Sequence, residues 1–221
     1  PTATLRGSAL LAGTDMVSAG DDERRQARRA HAGAVFQDPM TSLNPTMRIG
    51  QQVAETGGDV LAALRAAGIP DPERRVGQYP HELSGGLRQR VMIAVAGSPS
   101  LVIADEPTTA LDVTVQAEVL RLFVRLRDTT GTSVVLVTHD LAVAASVADR
   151  IAVLYGGRLL EVGTAREVLR SPSHPYTSGL LASRTSPSPR RDVPLPTLPG
   201  EPPDPRAPEP GCGFAPRCGL A

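Results

Sequence analysis

Two acidic residues directly follow an apolar run near the middle of the chain. Residues 101–104 have the composition of a strand buried on both faces of a parallel sheet, and Asp105 and Glu106 come next. In open parallel sheets, ligands bind beyond the carboxyl ends of the strands. There Asp105 could hold Mg²⁺, which prefers hard oxygen ligands, and Glu106 could polarise a water that attacks a phosphate. An acidic surface turn is the alternative that this dipeptide leaves open.

A histidine follows the next strand-like run. Residues 134–137 are apolar, and Thr138 and His139 come directly after them. Because the carboxyl ends of parallel strands meet at one edge of a sheet, we expect His139 at the same edge as Glu106. An imidazole there could contact a terminal phosphate. A surface histidine with satisfied hydrogen bonds is the alternative.

A Ser-Gly-Gly sequence precedes a helix-like run. Ser84 is a good N-cap residue, and Gly85 and Gly86 leave backbone N–H groups open to close approach. Free amides at a helix N-terminus bind anions, phosphate included. An ordinary capped helix is the alternative.

Two further polar residues lie at predicted loop positions. Gln37 follows a short strand-like run, and its amide could reach a metal ion or a water. Asp112 precedes a helix-like run, which it could cap whether or not it also serves a site. Neither residue by itself is specific evidence for a functional site.

The elements that must position these residues follow from the periodicity of apolar side chains. Strand-like and helix-like patterns alternate over residues 101–154, which favours an α/β fold with a parallel sheet. Residues 44–97 are predicted to be mostly helical. Residues 1–20 are predicted to form short strands and turns, the first strand at residues 3–6.

The C-terminal part of the chain has a different pattern. Residues 151–162 predict a hairpin about Gly156 and Gly157. Residues 184–221 hold 11 of the chain's 21 prolines. That composition predicts a loop-rich or disordered extension outside the core.

Composition disfavours several classes of partner. The 221 residues carry 23 basic and 23 acidic side chains, so there is no general attraction to nucleic acid or anionic lipid. Aromatic residues make up 3% and Trp is absent, which disfavours base-stacking surfaces. All 23 basic residues are Arg, so this sequence cannot complete a mechanism that needs a Lys.

The sequence also carries signals about location. No apolar run reaches the ~18 residues of a membrane span, and the first 30 residues lack the pattern of a signal peptide. We therefore expect a cytosolic protein. Because the sequence opens at Pro1 rather than at Met, we expect a fragment.

Taken together and in this order, the motifs resemble the nucleotide-binding domain of ABC transporters over residues 1–178. The resemblance identifies Gln37 as the Q-loop residue, Asp105 and Glu106 as the Walker B pair, and His139 as the switch histidine. The signature corresponds to residues 84–89, ending at Gln89, and the D-loop residue is Asp112.

A finer resemblance is to the peptide and nickel importer ATPases. It rests on residues 35–45, on residues 78–83, on residues 104–112 and on residues 174–177. The C-terminal extension is similar as well, from residues 200–203 to residues 211–218.

This resemblance implies a set of site residues and cofactors. ATP and Mg²⁺ are the expected cofactors, with Asp105 and Gln37 as metal ligands and Glu106 and His139 as catalytic residues. The remaining nucleotide-binding residues are expected to be Ser84, Gly85, Gly86, Gln89 and Asp112.

The implied fold is an α/β, P-loop NTPase-like core with a helical subdomain. We predict four segments: the N-terminal part of the core at 1–43, the helical subdomain at 44–97, the rest of the core at 98–178, and a Pro-rich extension at 179–221. The helical subdomain, and the segment of residues 91–99, are shorter than the subfamily leads us to expect. The phosphate loop of the family needs a Lys, so it is expected upstream of residue 1.

The two cysteines of the extension are a separate question. Some members of the subfamily bind an iron–sulfur cluster there, and such a cluster normally takes four thiolates. This sequence has Cys212 and Cys218 only, so we expect free thiols and no cluster.

The resemblance implies an ATPase subunit that energises import of peptides or nickel from the cytoplasmic face of the membrane. Expected partners are a second nucleotide-binding subunit, the permease subunits and, indirectly, an external binding protein. A non-hydrolysing partner or gene remnant is the alternative. A soluble ABC protein acting on nucleic acid or ribosomes is disfavoured by the neutral charge.

Overall fold

The computed structural model describes residues 4–97, 99–109, 111–183, 197–204 and 210–221. The chain divides into two compact units, Pro1–His139 and Asp140–Ala221, and each is described by itself. The first unit carries the residues of the predicted site. The division into four segments remains a prediction.

The first unit begins with a small hairpin and continues with helices and a sheet. Its strands are β1 Leu10–Leu11, β2 Thr14–Asp15, β3 Ala32–Val35, β4 Leu101–Asp105 and β5 Ser133–Val137. Its helices are α1 Asp21–His31, α2 Pro39–Ser42, α3 Ile49–Ala54, α4 Val60–Ala66, α5 Pro72–Arg75, α6 Gly85–Ala96 and α7 Val113–Thr130. The strand expected at residues 3–6 is wrong for its described part, since Leu5 and Arg6 lie outside any strand.

The central sheet of this unit is parallel, as predicted. Its order is β3-β4-β5, with Val35 opposite Ala104 and Asp105 opposite Val137. Consecutive strands pair in parallel because the helical region between residues 36 and 100 and helix α7 return the chain to the same end of the sheet each time. All three strands therefore end at one edge.

One hydrophobic core joins this sheet to the helices. It contains Val35 and Val102 from the strands, Ile93 from α6, Leu122 from α7 and Leu64 from α4, all nearly inaccessible to solvent. Helix α7 buries residues at helical spacing because its apolar positions recur every three or four residues.

The prediction that the strands are buried on both faces is wrong for the residues described. Burial alternates along β4 and β5, and the side chains of Ile103, Val135 and Val137 are 44%, 50% and 48% exposed. Residues that alternate along a strand point to opposite faces, and helices cover only one of them here. The apolar runs reflected composition and did not reveal which face is covered.

Among its described residues the second unit contains the predicted hairpin, three α-helices and a short 3₁₀ helix at Ala215–Arg217. Its strands β6 Arg150–Tyr155 and β7 Arg158–Thr164 are antiparallel, and its helices are α8 Leu141–Val147, α9 Ala165–Arg170 and α10 Pro175–Ala182. No helix of the described residues in either unit is long and apolar enough to cross a membrane.

The end of the extension is packed into this unit, which corrects the expectation that it lies outside the core. Phe214 is 2% exposed, and its ring lies 5.4 Å from both Tyr155 and Tyr176. These three rings are called the aromatic cluster below. The guanidinium of Arg217 donates to the Tyr155 hydroxyl at 2.9 Å. Residues 184–196 and 205–209 lie outside the described residues.

Candidate functional site

The ends of the three parallel strands bring the predicted site residues together. Gln37 lies two residues beyond β3, Glu106 follows β4 directly, and His139 lies two residues beyond β5. The Glu106 N–H donates to the carbonyl of Val137 at 2.9 Å, which extends the β4–β5 ladder by one residue. The expectation that His139 shares an edge with Glu106 is confirmed.

The carboxylate of Glu106 is the centre of a group of hydrogen bonds. Oε2 accepts from Gln37 Nε2 and from the Thr109 hydroxyl, both at 2.9 Å. Oε1 lies 3.0 Å from His139 Nδ1. We call these four residues the polar cluster. A carboxylate oxygen has lone pairs for two donors, so all of these contacts can coexist.

These contacts favour the ionised form of Glu106. The hydrogen bond from His139, followed by that from Thr109, holds the pKa of Glu106 below its ordinary value of 4.5. Glu106 is therefore a carboxylate at neutral pH, which is the state that a general base requires. Its side chain is 26% exposed and that of His139 is 75% exposed, so a ligand could reach both.

The backbone at Glu106 has an unusual conformation. Its φ is +43°, in the left-handed region that a residue with a side chain occupies only at a cost of about 1 kcal/mol or more. The Thr109 N–H closes the turn by donating to the Glu106 carbonyl at 3.1 Å. The sharp turn directs the side chain of Glu106 toward Gln37 and His139.

The donor set at the strand ends fits a magnesium ion. Asp105 ends β4 with an exposed side chain, and Gln37 uses its amide nitrogen on Glu106, which leaves its amide oxygen for a ligand. Mg²⁺ is usually held by one or two protein oxygens together with waters and phosphate oxygens, so these two donors suffice. Asp105 and Gln37 are thus suitable ligands by their chemistry.

The Ser-Gly-Gly sequence begins a helix, as predicted. Ser84 caps α6, and its hydroxyl accepts from the Leu87 N–H at 3.4 Å. A Cβ on Gly85 would meet nothing within 4 Å, whereas a Cβ on Gly86 would lie 2.5 Å from a methyl group of Val115. Gly85 is therefore open to a ligand, and Gly86 allows α6 to approach α7 closely.

Asp112 lies near this helix start. Its carboxylate caps α7 by accepting from the Val115 N–H at 3.0 Å. Because Val115 also contacts Gly86, the first turns of α6 and α7 are neighbours. The alternative role of Asp112 as an N-cap is confirmed, and its role toward a nucleotide remains a prediction.

Gln89 occupies a different environment from the other predicted site residues. Its side chain is 1% exposed, and its Nε2 has no hydrogen-bond partner within the part of the chain that the structure describes. A buried amide cannot touch a nucleotide at the surface of α6, so this burial argues against a direct contact. Gln89 is predicted to be a site residue only because it belongs to the signature.

Two polar residues whose side chains make hydrogen bonds were not predicted from the sequence. Thr109 donates to Glu106, and Gln52 bonds the backbone of Asn44 with both its amide oxygen and its amide nitrogen, at 2.9 and 3.0 Å. Gln52 is 6% exposed and fixes the loop that follows α2. The spacing of three between Glu106 and Thr109 is typical of a turn, but nothing in the sequence marks a hydrogen bond between their side chains.

The cysteines lie in the second unit. Cys212 Sγ is 3.6 Å from His174 Nε2, and Cys218 Sγ accepts from the Leu220 N–H at 3.4 Å. Both are free thiols. Among the described residues no three His, Cys, Asp or Glu side chains converge in a way that could hold a metal ion.

Two family models match the chain. The model "ABC transporter" matches residues 2–109, which include Gln37, the signature and the Walker B pair. The model "Oligopeptide/dipeptide transporter, C-terminal region" matches residues 160–221.

Curated relatives match nearly the whole sequence. The dipeptide transport ATP-binding protein DppD of Bacillus subtilis is 47% identical over 96% of this chain and 67% of its own length. The oligopeptide transport ATP-binding protein OppD of the same organism is 46% identical over 98% of this chain and 64% of its own. The OppD protein of Haemophilus influenzae is 44% identical over 98% and 71%. The chain spans about two thirds of the length of these relatives.

Solved structures with the same fold include an ATP-binding cassette and a part of an ABC transporter complex. One is the cassette MJ0796, in a dimeric post-hydrolysis state bound to ADP and Pi. It is 29% identical with a TM-score of 0.63, and the match covers 73% of this chain and 74% of the MJ0796 chain. CbiO1 of Clostridium perfringens, part of the transporter complex CbiONQ, is 26% identical with a TM-score of 0.65 and covers 73% and 67%. With the polar cluster at the strand ends and the capped signature helix, these similarities show that the chain belongs to the ATP-binding proteins of the oligopeptide and dipeptide ABC transporter family.

Proposed function

We propose that the chain acts as an ATP-binding subunit that energises the import of peptides by an ABC transporter. The observation that carries the proposal is the convergence of Gln37, Glu106 and His139 at one edge of a parallel sheet. The names of the curated relatives favour peptides over nickel as the transported substrate. Peptide specificity within that class would lie with other subunits.

Each residue of the polar cluster has a role in this proposal. The Glu106 carboxylate would take the proton of a water that attacks the γ-phosphate, and His139 would hold that carboxylate and contact the phosphate. Asp105 and the amide oxygen of Gln37 would hold Mg²⁺, which would neutralise phosphate charge. The exposed edge gives a nucleotide access to these groups.

The signature helix would act on a nucleotide held by another subunit. Gly85 presents open backbone at the N-terminus of α6, where amides and the helix dipole favour a phosphate. In such an assembly the nucleotide lies between two subunits, and Ser84 and Gly85 of this chain would contact the phosphate of a nucleotide bound to the partner subunit.

The expected assembly follows from this division of roles. A second nucleotide-binding subunit would bind nucleotide together with this chain, and permease subunits would couple the closure of the two nucleotide-binding subunits to transport at the cytoplasmic face of the membrane. An external binding protein would deliver the peptide. A non-hydrolysing partner is the second candidate function, because Ser84 and Gly85 form an intact helix start that requires no hydrolysis at the edge carrying Glu106.

The proposal is tested by ATP-dependent association. The chain is mixed with full-length DppD of Bacillus subtilis, and the fraction in complex is measured by sedimentation with and without ATP. Association that needs ATP is expected for the parent chain. Gly85→Asp should weaken it at least tenfold, because a carboxylate would stand where the γ-phosphate must approach.

Gly85→Ala is the matched control. A Cβ at this position meets no atom within 4 Å, so both variants should fold as the parent does. Equal association of the parent and Gly85→Asp would refute engagement of nucleotide by the signature. If association depends on Gly85 while the complex never hydrolyses ATP at the edge that carries Glu106, the chain acts as a non-hydrolysing partner.

A further inference from the structure

Within the described residues, the carboxylate of Glu106 has three partners, and Thr109 differs from Gln37 and His139 in its distance from Glu106 along the chain. Gln37 and His139 are 69 and 33 residues away along the chain and reach Glu106 from separate strands. Thr109 is three residues away and lies in the same turn. A rearrangement of the loops after β3 or β5 would break the first two contacts and leave the third intact.

The turn gives Thr109 a fixed place. The Thr109 N–H donates to the Glu106 carbonyl at 3.1 Å, and the two residues between them, Pro107 and Thr108, are buried. The backbone at the start of this turn is held by a 2.9 Å hydrogen bond from the Glu106 N–H to the Val137 carbonyl. Since Thr is branched at Cβ, its hydroxyl has few staggered positions to choose from.

The two oxygens of Glu106 are engaged differently as a result. Oε2 accepts from Thr109 and from Gln37, while Oε1 faces His139. If the Gln37 side chain turned toward a metal ion, Thr109 would be the remaining donor to Oε2. Among the described residues, Oε2 would then be held by the Thr109 hydroxyl alone, while Oε1 would still face His139.

We propose that Thr109 is the positioning residue of the candidate base: its hydroxyl anchors Oε2 of Glu106 and so directs Oε1 toward His139 and the reacting water. This inference rests on the proposed function, because Glu106 needs a fixed orientation only if it acts on a bound substrate. Thr109 is not itself a catalytic residue. Its effect is transmitted entirely through the carboxylate.

The side chain of Glu106 can be observed without any nucleotide. In the isotopically labelled chain, three-bond couplings report whether its χ1 and χ2 angles occupy one rotamer or several. We expect one rotamer in the parent chain and averaged couplings in Thr109→Val, which keeps the shape and removes the donor. Thr109→Ser keeps the hydroxyl and should retain the single rotamer.

A matched control separates this effect from a general loss of order. Thr114→Val changes an exposed threonine in the first turn of α7 and should leave the couplings of Glu106 unchanged. Amide spectra of all variants show whether the fold persists, which is expected because Thr109 is exposed. A single rotamer in Thr109→Val overturns the proposal. Averaging in Thr109→Ser overturns it too, since the hydroxyl would then not be the cause.

A second measurement links the position to the reaction. In a complex with DppD that hydrolyses ATP at the edge carrying Glu106, Thr109→Val should lower kcat about tenfold at an unchanged KM, and Thr109→Ser should restore it. An unchanged kcat in Thr109→Val contradicts the inference. If the couplings respond as expected and no ATP is hydrolysed at this edge, Thr109 positions Glu106 and only the proposed function fails.

Discussion

The polar cluster around Glu106 and the aromatic cluster around Phe214 are held together by different interactions. The polar cluster is open to solvent, with 75% of the His139 side chain exposed, and consists of hydrogen bonds between side chains. The aromatic cluster is closed, with Phe214 and Tyr155 at 2% and 8% exposure. Exposed hydrogen bonds exchange with water and contribute little to folding, whereas buried aromatic area contributes much of the stability of a unit.

This difference separates the residues of the candidate reaction from those that stabilise the fold. Side chains that must meet a ligand cannot also be buried by the chain, so their geometry depends on the elements beneath them. Phe214 has no proposed contact with a ligand, and the segment around it is fixed by packing. Substitutions in the two clusters should therefore affect different measurements.

The largest effect is expected for Glu106→Gln on ATP turnover. An amide keeps the shape of the side chain but cannot take a proton from water, so turnover at the edge carrying Glu106 should fall by about 10²- to 10⁴-fold. ATP binding and the free energy of unfolding should stay near those of the parent. Steady-state hydrolysis and nucleotide binding in the complex with DppD measure both.

Glu55→Gln is the control for this change, because Glu55 is exposed and outside the polar cluster. It should leave turnover unchanged. Parent-like hydrolysis by Glu106→Gln would show that Glu106 is not the base.

Phe214→Ala should have the largest effect on stability. Removal of a buried ring from contact with Tyr155 and Tyr176 is expected to destabilise the second unit by about 3–4 kcal/mol. Hydrogen exchange of the amides of β6 and α10 measures this loss unit by unit. Leu220→Ala, at a residue that is 85% exposed, should change it by less than about 0.5 kcal/mol. Equal effects of the two substitutions would mean that the end of the extension is not part of this core.

The smallest effect is the response of the polar cluster to acid. The hydrogen bonds from His139 and Thr109 lower the pKa of Glu106 from 4.5, so these contacts favour the ionised form. Their contribution is complete above pH 4.5 and is lost as the pH falls through the lower, folded-state pKa. The carboxyl ¹³C shift of Glu106 should therefore titrate with a midpoint below 4.5. A midpoint above 4.5 would show that the hydrogen bonds do not favour the ionised form.

The places of most candidate site residues in the fold followed from sequence because these residues lie directly beside predictable elements. Glu106 follows an apolar run and Ser84 precedes a helix-like run, so the ends of these elements locate the side chains. Thr109 and Gln52 could not be found in this way. Their hydrogen bonds depend on the path of a turn and of a loop, which no periodicity of apolar residues describes.

The sequence by itself determined the parallel sheet, the start of α6 and the family that the motifs resemble. Only the tertiary structure decided that one face of β4 and β5 is covered and the other exposed, because burial depends on what packs against a strand and not on its composition. The same holds for Phe214. A Pro-rich segment has no periodic pattern, and its one large apolar ring became core because the hairpin and α10 form a place for it. Local chemistry is encoded along the chain, whereas burial is a property of the assembled neighbours.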